Sequence, residues 1–168
     1  MKKLYLSLFI AFLSAGFAAR VLAQVSATAN ATATIITAIG IVKNTDMNFG
    51  NLATNGSAGT VVLAPGGNRS ATGGATLPAS TGTVSAASFT ITGAGSSTYS
   101  ITLPSSVTIS SGGNTMTVNT FTSTPSGTGT LSSGSQTLNV GATLNVSSPQ
   151  AAGTYTSATA FTVTVNYN

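Results

Sequence analysis

Three charged side chains, Lys43, Asp46 and Arg69, are all that residues 24–168 offer to chemistry that moves a proton or holds an ion. Histidine, cysteine, tryptophan and glutamate are absent from that stretch. A serine or threonine nucleophile needs a base within hydrogen-bond reach. The only candidates, Lys43 and Asp46, fall in KNTD, which reads as a turn where solvated charges are ordinary. Acid–base work by paired carboxylates needs two, and there is one. Metal sites need clustered Asp, Glu, His or Cys. The sequence therefore predicts no catalytic, cofactor-binding or metal-binding residues, and no enzyme. GAGSST (93–98) has two glycines of a phosphate loop but no third, and no helical pattern follows, so it reads as a turn between strands.

Binding residues give equally plain readings. Phe49, Phe89, Tyr99, Phe121, Tyr155, Phe161 and Tyr167 could form an aromatic platform for sugars, but several sit in phase with a core face. The Thr-x-Thr pairs Thr32/Thr34, Thr90/Thr92, Thr115/Thr117 and Thr162/Thr164 lack the fixed internal period of a flat ice-binding coil. They suit the outward face of strands. Asn30, Asn55, Asn68 and Asn145 each begin an Asn-x-Ser/Thr triplet, expected by chance in a chain so rich in Ser and Thr.

Residues 1–23 read as a cleaved secretory signal. MKK is followed by an apolar run from Leu4 to Ala19, closed by Arg20, and Val21-Leu22-Ala23 suits a signal peptidase. The run is short of the roughly 20 residues of a spanning helix. Without a cysteine there is no site for a lipoprotein anchor. Lys2, Lys3 and Arg20 leave with the signal, so the +4 of the whole chain falls to +1, Lys43 and Arg69 against Asp46. Two cations make no basic patch, and a nucleic-acid or acidic-lipid partner is excluded. The expected location is outside the cytoplasm: periplasm, outer surface or extracellular space. The remaining 24–168 suffices for one domain.

Period-two alternation recurs along that domain. In FTVTVNYN, Phe161, Val163, Val165 and Tyr167 share one face. The same holds for SFTIT, TYSITL, VTI and TMTV, and in QTLNVGATLNV the residues Leu138, Val140, Ala142, Leu144 and Val146 stay in phase. Gly141 lies on the other face and marks a bulge or bend. APGGN (64–68), TGG (72–74), TGAGSS (92–97), SSGGN (110–114) and PSGTG (125–129) read as turns. Short strands between such turns predict an all-β antiparallel sandwich or barrel with negligible helix.

The opening QVSATANATATI alternates Val25, Ala27, Ala29, Ala31, Ala33 and Ile35 with polar residues, and the phase resumes at Ile39 and Ile41. A strand of about 17 residues is long against the usual 5 or 6. It either crosses between sheets, or its first half extends past the domain. With no charge and no proline, nothing in it repels pairing at a sheet edge. These six residues, within 24–36, are the candidate assembly strand. Whether the strand pairs inside its own sandwich or with another chain stays open at this level.

Several stretches together, ATANATATIITAI, DMNFGNL, SFTITGAGSSTYSITLP, GGNTMTV and TLNVGATLNVSSPQAAGTYTSATAFTVTVNY, resemble an exported bacterial family, domain of unknown function 4402, over essentially all of 25–168. That family carries no known catalytic residues to transfer. More remotely, the NFG segment and the GTYTSATAFTVTVNY ending are similar to spore-coat-U-type and chaperone–usher pilin subunits, without the cysteines common there. The resemblance implies an immunoglobulin-like antiparallel β-sandwich of about 7–10 strands. It also implies subunits that polymerise by lending an N-terminal strand, with self-association or a periplasmic chaperone as partner. The functional expectation is a non-enzymatic structural or adhesive surface subunit, pilus-like in assembly. The alternative is a self-contained secreted monomeric binding module.

Overall fold

The computed structural model describes residues 24–168; the expected signal peptide lies outside the described residues. Ile35 to Asn168 form one compact unit. It is an all-β antiparallel sandwich of ten strands, with no helix among the described residues. The strands are β1 (Gly40–Thr45), β2 (Ala53–Leu63), β3 (Arg69–Thr76), β4 (Ala87–Thr92), β5 (Thr98–Thr102), β6 (Ser106–Ser111), β7 (Asn114–Thr124), β8 (Thr128–Thr130), β9 (Ser135–Val146) and β10 (Thr164–Tyr167). Seven form one sheet around β9, and β10-β5-β8 form the other.

β9 organises the larger sheet because its apolar phase never breaks. Leu138, Val140, Ala142, Leu144 and Val146 are all buried. The first half of β9 pairs with β4 and the second with β2, while β7 runs along both. Gly141 sits where β4 hands over to β2. A Cβ there would lie 2.1 Å from the Leu63 carbonyl oxygen, so only glycine lets the end of β2 come this close. The expected irregularity is real but lies on the facing strand, where the register of β7 shifts between Asn119 and Thr122.

Two apolar clusters lie along β9. In the first, Phe89, Ile91, Leu138 and Val140 meet Tyr99, Leu131, Val163 and Val165, so the three-stranded sheet closes over this half. In the second, Val61, Ala75, Met116, Val118, Ala142, Leu144 and Val146 come from the large sheet alone. Loop residues Phe49, Leu52, Leu77 and Tyr155 pack against them.

Four expectations change. TGG (72–74) is no turn but lies inside β3. A Cβ on Gly73 or Gly74 would meet the Ala58 or Ser57 carbonyl at 2.5 or 2.1 Å, so these glycines serve close approach to the irregular part of β2. KNTD is no turn up to Thr45, since β1 continues through it with a bulge at Asn44, whose amide bonds the Thr90 hydroxyl at 3.0 Å. The last strand keeps its face, with Val163 and Val165 buried, but only Thr164–Tyr167 pair. Its partner β5 ends at Thr102, just before Leu103-Pro104, where proline has no N–H for a ladder. The opening strand of 17 residues reduces to β1, and no residue of 24–39 belongs to a strand.

Candidate functional site

The charged residues do not converge on a reaction centre. Lys43 Nζ donates to Asp46 Oδ1 at 2.7 Å in a solvent-exposed pair three residues apart. No shared site brings Arg69 to them. From the start of β3 its Nη1 donates to the carbonyl of Phe49 and, at 2.9 Å, to that of Asn51. Arg69 is thus a buttress for the loop between β1 and β2.

The residues that do converge form an apolar floor between mixed polar walls. Because the smaller sheet stops at the first cluster, an open groove of about 860 Å³ remains over the second. Val107 and Ile109 of β6, Met116 and Val118 of β7, and Leu144 and Val146 of β9 line it. None of Lys43, Asp46 and Arg69 lines it.

One wall is Met47–Thr54. Its NFG core is built locally. Asn48 Oδ1 accepts from Gly50 N–H at 2.8 Å, and Asn48 exchanges backbone bonds with Ser85. Gly50 takes φ +67°, and a Cβ on it would lie 2.3 Å from the Thr81 carbonyl oxygen. That turn directs Phe49 inward. In the sequence Arg69 has no part beyond its charge, and nothing local links it to the NFG segment of this wall.

The other wall is Gln150–Ser157. Tyr155 OH donates to the Ala151 carbonyl at 2.8 Å and accepts from Gln150 Nε2 at 2.7 Å, curling the segment on itself. Its backbone reaches the sheet through Thr156, which exchanges two hydrogen bonds with Ser110 on the free edge of β6. At the groove's end, Phe161 meets Phe121 in a tilted contact, 5.1 Å between ring centroids.

The aromatic residues expected in the core are there or at its margin. Phe89 and Tyr99 are buried, and Phe49, Phe121, Tyr155, Phe161 and Tyr167 are half-buried. Tyr99 OH donates to Gln136 Oε1 at 2.7 Å, and burial raises its phenol above the ordinary range.

The candidate assembly residues Val25, Ala27, Ala29, Ala31, Ala33 and Ile35 are all exposed. Val25 is 92% and Ile35 98% exposed, far above the usual state of such side chains. The chain enters the sandwich at Thr37, whose carbonyl accepts from Tyr167 OH at 2.8 Å.

An antiparallel sandwich free of cysteine, with a groove of apolar floor and mixed polar walls over half of its larger sheet, is the class that fold and site define. Within that class the chain belongs to the family described as Domain of unknown function (DUF4402), whose model matches residues 39–167. The match begins one residue before β1 and leaves out 24–36, a narrower span than the resemblance read from the sequence. No curated protein and no solved structure matches this chain.

Proposed function

We propose that the chain is a non-enzymatic, exported structural or adhesive subunit of the cell surface, whose copies join by lending residues 24–36 as a strand. The observation that carries this reading is the exposure of an uncharged arm with alternating apolar side chains, Val25 to Ile35, ahead of a sandwich that begins its ladders at Gly40. Exposed apolar side chains favour burial against another surface. A strand lent head to tail makes a heterologous contact, and such contacts build filaments unless they close. The partner is a second copy, held before assembly by a periplasmic chaperone. An immunoglobulin-like relation to pilin subunits is part of the same reading. With so few charges, assembly should respond little to salt.

A second reading, a self-contained monomeric binding module, draws support from the first apolar cluster, in which the chain buries Tyr99 and Leu138 without a partner. Light scattering and negative-stain microscopy on the chain from Gln24 onward, beside one lacking 24–36, separate the two. Filaments that vanish with the truncation support the structural subunit. A stable monomer in both forms leaves the binding module.

A further inference from the structure

We infer that the groove over the second apolar cluster is the seat for the first half of another copy's arm, Val25 to Ala31, which adds as a strand along the free edge of β6. This rests on the proposed reading of 24–36 as an intermolecular strand and names where it lands.

The edge is the first argument. Ser110 turns both its N–H and its C=O away from β7 to meet Thr156, at 2.9 and 3.1 Å. Along a strand such groups alternate between its two sides with period two. Thr108 and Ser106 therefore present their backbone groups on the same side. Among the described residues, the Ser110–Thr156 pair is the only backbone pairing on that edge. Main-chain addition needs such a row of open donors and acceptors.

The side chains are the second argument. Val107 and Ile109 alternate with Thr108 and point to the groove side, both half-buried and lining it. A strand laid beside them buries every second side chain against the second cluster. In the arm those are Val25, Ala27, Ala29 and Ala31. Alanines suit a space already narrowed by Phe49 and Tyr155. Groove lining and arm also match in carrying no charged side chain, so docking desolvates no ionised side chain.

Reach is the third. Tyr167 holds Thr37 to its own sandwich, so the free arm is 24–36. Extended, that is about 40 Å, of which a ladder along the open part of β6, Ser106 to Ile109, uses about 13 Å. The rest of the arm, Thr32 to Ile36, remains to bridge two sandwiches.

The absence of cysteine makes the test direct. Ala27→Cys in one preparation of the chain from Gln24 onward is mixed with Val107→Cys in another under mild oxidation. Ile109→Cys serves as a second groove position, and Thr72→Cys on β3 as a control away from the groove. A disulfide requires Cα atoms within about 7 Å, so the expected result is a covalent heterodimer with Val107→Cys or Ile109→Cys, several-fold in excess over Thr72→Cys. Multimers by light scattering without that excess overturn the seat and leave arm-mediated assembly standing. Monomers throughout overturn both. Circular dichroism shows which variants are folded, and either folded groove variant decides the matter.

Discussion

Tyr167, next to last in the chain, donates its phenol hydrogen to the carbonyl of Thr37 at 2.8 Å, and the same oxygen accepts the N–H of Ala94 at 2.6 Å. One hydroxyl therefore joins β10, the β4–β5 turn and the point where the chain enters the sandwich. Tyr167→Phe removes both bonds and leaves a backbone donor and acceptor in competition for water. The expected cost is about 1–3 kcal/mol, read by urea denaturation. Faster amide exchange around Ala94 should accompany it, with β9 amides hastened only by the loss of global stability.

Leu138 and Leu144 are chemically identical and both buried, yet they sit in different surroundings. Leu138 lies in the enclosed cluster under Tyr99, and Leu144 lines the groove. Leu→Ala in a core costs about 2–5 kcal/mol, and the spread follows the cavity left behind. Space opened at Leu144 merges with one that solvent already reaches. Leu138→Ala should therefore destabilise more than Leu144→Ala, as compared by thermal and chemical denaturation; equal costs would mean that the groove is closed in solution.

Arg69 holds the Phe49 and Asn51 carbonyls and so the first wall of the groove. Arg69→Ala leaves both carbonyls without a charged donor, at about 1.5–3 kcal/mol by the usual worth of such bonds. Protease cleavage within Met47–Thr54 should become faster in the variant under native conditions. Lys43→Ala, which breaks only an exposed pair, should change stability by less than about 0.5 kcal/mol.

Tyr99 links stability to alkaline pH. Burial raises its folded-state pKa above the ordinary 10.0. The folded protein then holds this proton more tightly than the unfolded chain does. The contribution is fully present below the unfolded value and is lost as pH climbs from there through the folded value. Urea midpoints between about pH 8 and about pH 11 should fall more steeply for the native protein than for Tyr99→Phe. The variant starts lower at neutral pH, because Gln136 Oε1 loses its donor.

The faces of the strands were legible in the sequence because side-chain direction in a strand is a local property of period two. Leu138 through Val146, Phe89 with Ile91, and Val163 with Val165 are buried as their phase required. The inventory that left no nucleophile with a base was equally local, since it needs only residue types. The irregular β2 and glycine-bearing β3 were not legible. Gly73 and Gly74 look like a turn, and only the nearness of the Ser57 and Ala58 carbonyls shows why they sit within a strand. Nor could the alternation of Val25 to Ile35 say what it pairs with, because an edge-compatible pattern is the same for any edge. Which strand lies beside which is decided by register between residues far apart in the chain. That register ends the smaller sheet at one half of β9, opens the groove over the other half, and brings Arg69 to Phe49.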